Sequence, residues 1–246
     1  MNSEINKYLN FKIIQKRNNN YNPNDNNIKY LVLMACHCNS DLKLSTIKRN
    51  LKYFNYNSID TLLINTIGLP YNSEIIELCS TYNNTKYIEC VNELTYDFGK
   101  WIYGLKNIDY NNYNYVIFTN DSFIIHAPIN HFLNLTYKYN MQFYGYNDST
   151  QQRYHCQSYL FSLRNDVISI FINNYYLKNN IIKTQEDVIR EYELKMTDWF
   201  NSKSCFLKIG QLSLNKGQNI FFTNDILYKR LKTTTLLPFT KIKRIC

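Results

Sequence analysis

The sequence predicts an α/β fold in a single domain, with a Rossmann-like, mostly parallel central sheet flanked by helices. Three observations carry this expectation. Apolar runs without polar alternation, at residues 30–35 (YLVLMA) and 115–119 (YVIFT), read as strands buried on both faces. Segments of helical apolar spacing alternate with strand-like runs between residues 30 and 119. The chain has 246 residues, 45% of them hydrophobic, which suffices for one full core, and it shows no internal repeat and no linker rich in Pro, Gly or Ser.

Taken in order, residues 1–28 form a polar leader expected to be irregular or mobile, since the run 17–27 has few groups able to bury. The first strand, 30–35, is followed by a helix over 40–54. Its apolar residues Leu42, Leu44, Ile47, Leu51 and Phe54 recur at helical spacing, with Ser40 or Asp41 as N-cap. Residues 61–65 and 87–91 read as the second and third strands, separated by a short helix over 74–81. A helix over 101–108 leads to the fourth strand, 115–119, which ends at Asn120-Asp121-Ser122. The second half is more mixed: strands are expected at 142–146, 158–163 and 205–209, and helices at 166–176 and 185–200. The last helix would bury Val188, Ile189, Tyr192, Met196, Trp199 and Phe200.

In open α/β sheets, ligands lie beyond the carboxyl ends of the strands. That rule selects residues 36–39, 65–66, 92–100 and 120–122. Asp121, at the end of a buried strand between Asn120 and Ser122, is placed to hold Mg2+ or Mn2+ against two phosphates, because such hard cations take oxygen ligands. The same tripeptide is also a common turn. Asp97 and Lys100 stand just ahead of the predicted third helix, where the carboxylate can accept from ribose hydroxyls and the ammonium can meet phosphate, or where Asp97 simply caps the helix. His37 and Asn65 end the first and second strands, near where a nucleotide base would lie. Glu191 and Glu193 share a helix on which a carboxylate can take the proton of an attacking hydroxyl, although any Glu on an amphipathic helix is ordinarily solvated. Tyr154, His155 and Gln157 precede an apolar run and can stack on or bond to sugar.

A formal net charge of +9 points to an anionic partner. The basic residues are scattered apart from Lys16-Arg17 and the terminal Lys241, Lys243 and Arg244, so a local phosphate site is favoured over a nucleic-acid groove. A basic nucleic-acid-binding or scaffold protein stays as the alternative. Seven cysteines form no paired framework, and Cys36-His37-Cys38 lacks a second pair to complete a zinc site. Reduced thiols in a cytoplasmic setting fit better. With no apolar stretch long enough to span a bilayer and no signal-peptide core, the protein is expected to be soluble.

The order of several segments adds a resemblance. Residues 115–127 (YVIFTNDSFIIHA), then 143–146 (FYGY), then 154–161 (YHCQSYLF) resemble the rhamnan synthesis protein F family. Residues 96–105, the run Glu191-Tyr192-Glu193-Leu194 and the terminal Pro238-Phe239-Thr240-Lys241 fit the same order, so the likeness covers roughly residues 30–244. Tyr144-Gly145 stands where that family more usually has Trp-Gly, and Leu160 replaces an aromatic.

The resemblance implies a glycosyltransferase of the A-type (GT-A) fold that moves a sugar, L-rhamnose by association, from a UDP- or TDP-linked donor to a glycan acceptor with inversion. It also implies a donor-binding half at 29–122 and an acceptor-binding half at 123–246. Asp121 would be the metal and diphosphate carboxylate, in a motif with one Asp where related enzymes have two. Glu193 would be the catalytic base, Lys241 would pair with the diphosphate, and Tyr154, His155 and Gln157 would orient the acceptor. A paralogue that keeps this fold without catalysis is a further alternative.

Overall fold

β1 (Tyr30–Cys36) is buried from Leu31 to Cys36 because its side chains feed two separate cores. Leu31, Leu33 and Ala35 enter one and Val32, Met34 and Cys36 the other, as the period-two alternation of a strand requires. That arrangement needs cover on both faces. The computed structural model describes residues 28–203 apart from 57–58, 94, 126–128, 139, 147, 150–151, 179–181 and 183, together with 207–209 and 239–241. The expected leader, save its last residue, lies outside the described residues.

The first half follows the expected alternation. After β1 come α1 (Asp41–Tyr56), β2 (Asp60–Thr66), α2 (Asn72–Ser80), β3 (Thr85–Cys90), α3 (Tyr96–Lys106) and β4 (Tyr115–Asn120). The second half adds β5 (Phe123–Ile125), α4 (Asn130–Lys138), β6 (Phe143–Gly145), β7 (Asp148–Ser149), β8 (His155–Cys156) and β9 (Leu160–Arg164). α5 (Asn165–Ile170) continues as a π-helical stretch, Phe171–Tyr176. A second continuous helix runs through α6 (Gln185–Val188), a π-helical stretch Ile189–Glu193 and α7 (Leu194–Ser202). β10 (Leu207–Ile209) and β11 (Phe239–Lys241) complete the described strands.

The seven-stranded sheet has the order β10-β6-β9-β4-β1-β2-β3. Its pairs are parallel except where β9 lies antiparallel between β4 and β6. α1, α2 and α4 cover one face, contributing Ile47, Phe54, Ile75 and Phe132 to the first core. α3, α5 and the long second-half helix cover the other with Trp101, Phe171, Tyr192 and Phe200. Because β2 and β3 extend to one side of β1 and β4 starts the other, the strand order reverses between β1 and β4. Such a switch point opens a crevice at the carboxyl edge of the sheet.

Two departures from expectation bear on the site. The third helix starts at Tyr96 rather than at residue 101, so Asp97 and Lys100 lie inside it on one face instead of in a preceding loop. Tyr96 enters with φ +49, and a Cβ on Gly99 would come within 2.3 Å of Thr95 Oγ1. Gly99 is therefore a close-packing glycine in the first turn. The small sheets β5–β11 and β7–β8, and α4, were not expected.

Candidate active site

The crevice holds a cavity of about 360 Å³. One wall is the end of β4 and the loop after β1, with Asn120, Asp121, Ser122 and His37. α1 contributes Lys43, α3 contributes Tyr96, Asp97, Phe98 and Lys100, and the long helix closes the far side with Gln185, Val188, Ile189 and Glu193. Asn92 and Ser158 complete the lining.

Asp121 is 5% exposed and held on every side that the neighbouring elements reach. The Lys43 ammonium bonds its Oδ1 and also donates to its backbone carbonyl at 3.3 Å, and the His37 backbone N–H donates to Oδ2 at 2.8 Å. Asn120 acts as a brace: its Nδ2 donates to Asp97 Oδ2 at 2.8 Å, while its Oδ1 accepts from the Ser122 N–H at 3.0 Å and hydroxyl at 2.6 Å. Burial, then the nearby Asp121 carboxylate, push Asp97 up to about 6, against the opposing pull of Lys100 and the Asn120 bond. Lys100 is 3% exposed and faces the same cavity. Burial and then the Lys100 charge hold the His37 imidazole below its ordinary value, and its Nδ1 lies 3.0 Å from Thr66 Oγ1.

Across the cavity, Glu193 ends the π-helical stretch. A π turn is wider than an α turn, and the Tyr175 hydroxyl fills the gap by reaching the carbonyls of Glu191, at 3.1 Å, and Tyr192. One turn further on, Thr197 Oγ1 accepts the Cys156 N–H at 2.7 Å and pins this face of the helix to β8. Glu193 Oε1 then lies 3.4 Å from the Ser158 N–H and 3.8 Å from His155 Nε2. His155 Nδ1 faces the Arg153 carbonyl at 2.8 Å, so it carries the proton, and Nε2 takes the Gln157 amide N–H at 3.0 Å. Glu191 points elsewhere, paired with Arg190 and Lys195.

The expected site residues do not all meet in one place. His37, Asp97, Lys100, Asn120, Asp121 and Glu193 line one cavity. Asn65 does not; its amide accepts the Cys38 N–H at 3.2 Å and donates to Asn72, bracing the loop that carries His37. His155 and Gln157 are buried behind Glu193, and Tyr154 is 44% exposed outside the cavity. The backbone of Lys241 in β11 pairs with Phe123 beside the Asp121 turn; its side chain lies outside the described residues. Lys43 was missed in the sequence, yet a lysine in the first turn of a helix opposes the helix dipole and was a usable signal.

A divalent cation at Asp121 was expected. Among the described residues no group of three His, Cys, Asp or Glu side chains converges to hold a metal. The donor set also fits one poorly, because the Asp121 carboxylate is already engaged by an ammonium and an N–H, and hard cations need several free oxygen ligands.

The sheet order and the crevice at its switch point belong to a single-domain α/β fold that resembles the glycosyltransferase A type. Among solved structures, the chain resembles 4-diphosphocytidyl-2C-methyl-D-erythritol synthase from Anaerococcus prevotii, with TM-score 0.52 and 12% identity over 83% of this chain and 97% of that one. It also resembles the glycosyltransferase GlyE of Streptococcus pneumoniae, with TM-score 0.50 and 12% identity over 85% of this chain and 50% of that one. In sequence it is 32% identical over 143 residues to virulence protein VirA of Vibrio anguillarum, a match covering 55% of this chain and 44% of the relative. The chain thus spans less than half the length of that relative. No protein-family model matches the chain.

Proposed function

We propose that this protein is a glycosyltransferase acting on a nucleotide-diphospho-sugar, with the diphosphate at the β1–β4 end of the cavity and an acceptor hydroxyl delivered toward Glu193. The observation that carries the reading is that one cavity joins a hydrogen-bonded cluster at the switch point, with the ammonium groups of Lys43 and Lys100 beside Asp97 and Asp121, to a carboxylate on the opposite wall. A phosphorylated leaving group needs the first, since positive charge there stabilises the charge that develops as the bond breaks. Deprotonation of the attacking hydroxyl needs the second. A base on the wall opposite the leaving group gives attack from the far face of the anomeric carbon, and so inversion. His155 and Gln157 act through Glu193 rather than on substrate, and Asn120 orients Asp97.

The likeness of GlyE's fold supports sugar transfer in general, and the ordered segments from residue 115 to 161 support L-rhamnose, from a UDP- or TDP-linked donor, as the transferred sugar. No helix among the described residues is long and apolar enough to cross a membrane, which is compatible with a cytoplasmic enzyme extending a glycan. No step of this reading runs through a metal ion.

The test is a panel of UDP-, TDP- and GDP-sugars assayed for transfer and for donor hydrolysis, with wild type beside Glu193→Gln. The expected outcome is turnover on at least one donor and a loss of about 10²–10⁴ in the variant with donor affinity kept. Salt-sensitive binding to RNA or DNA, with no response to any nucleotide-sugar, would instead favour the nucleic-acid or scaffold reading.

A further inference from the structure

We propose that the diphosphate subsite of this cavity works without a divalent cation, with the ammonium groups of Lys43 and Lys100 taking the place of the metal. The proposal rests on the transferase reading and deepens it. Lys43 already occupies the Asp121 oxygen that a cation would take, and a cation placed there would stand beside a like charge. The remaining oxygen accepts the His37 N–H, so Asp121 offers little free ligand capacity. The second carboxylate, Asp97, is tied at Oδ2 by Asn120.

Lys100 supplies the independent observation. It is 3% exposed as a residue and lines the cavity, where its charge acts on Asp97 and on His37. Its ammonium, in the cavity wall near Asp97, is in place to meet an incoming phosphate. Lysine suits phosphate as a compact point charge with three donors. Lys100 projects from α3 and Lys43 from α1, so the two approach the crevice from opposite faces of the sheet, on either side of the β1–β4 edge. A diphosphate lying across that edge can bond to both. Asp121 then serves to hold Lys43 in place and not to ligate a cation.

Isothermal titration of the whole chain with UDP, dTDP, GDP and inorganic pyrophosphate, in EDTA and in Mn2+, decides the matter. The expected result is binding in EDTA with a dissociation constant within about threefold of that in Mn2+. Lys43→Met and Lys100→Met should each weaken binding in EDTA at least about tenfold, the scale of losing one charge-assisted hydrogen bond. Thermal melts check that each variant folds, and Lys43→Met, at a partly exposed position, carries the test if Lys100→Met does not. Binding that requires Mn2+, or that both lysine variants retain in full, overturns the proposal and leaves the transferase reading standing. A folded chain that binds none of these ligands in either condition overturns both.

Discussion

Asp97 is partly buried in the first turn of α3 and shares its cavity with His37, Lys43, Lys100, Asp121 and Glu193, and its carboxyl is raised from 3.8 to about 6, first by burial and then by Asp121. The folded state therefore binds the proton more tightly than the unfolded chain does. Stability from this group is fully present below about 3.8 and is lost as pH rises through about 6. Asp97→Asn should accordingly raise the melting temperature at pH 7.5, with the gain fading below pH 4; a gain that is equal at both pH values would contradict the assignment. The candidate carboxylates Asp97, Asp121 and Glu193 were legible in the sequence because strand ends and a helix face located them. Their partners were not, since Lys43 and Asp121 are distant in sequence and meet only when α1 packs beside β4.

In the long helix from α6 to α7, the buried residues that enter the second core, Val188, Tyr192, Met196 and Phe200, recur at a strict spacing of four. An α-helix would carry such a series about 120° around its axis over that length. The π-helical stretch, one extra residue, absorbs the drift and keeps all four on the core side while turning Glu193 into the cavity. The sequence pattern placed Val188, Tyr192, Met196 and Phe200 on the buried side, but also Ile189, which is 37% exposed at the start of the π-helical stretch, because apolar periodicity alone is satisfied by a broad α-helical stripe. Tyr175→Phe should destabilise the protein by about 1–3 kcal/mol in urea unfolding, as carbonyls of the wide turn lose their donor. It should also lower transfer more than nucleotide binding. In α3, Trp101 is fully buried, donates its indole N–H to the Thr119 carbonyl at 2.8 Å and packs edge-on against Phe118 and Phe161. Trp101→Ala should cost about 3–5 kcal/mol, and it would loosen the helix that carries Asp97 and Lys100.

For the whole molecule, the decisive feature is the reversal of strand order between β1 and β4. It gathers residues from α1, α3, β4 and the long second-half helix around one crevice, although they are spread from residue 37 to residue 193. Ligand binding there should therefore stabilise the fold as a unit. UDP at about 100 times its dissociation constant should add about 2.7 kcal/mol, seen as a concentration-dependent rise of a single melting transition in EDTA. A net charge of +9 predicts that this affinity declines with added salt.

By itself the sequence determined the layered α/β architecture, the ends of β1 and β4 that border the cavity, and a shortlist of chemistry-bearing residues, because burial on both faces and helical spacing are local patterns. Only the tertiary structure decided the partnership of Asp121 with Lys43, the placement of Lys100 in a buried wall, and which of the two helix carboxylates, Glu193 and not Glu191, lines the cavity. Those depend on which helix covers which face of the sheet and on one wide helical turn, and such long-range packing leaves no mark at fixed spacing along the chain.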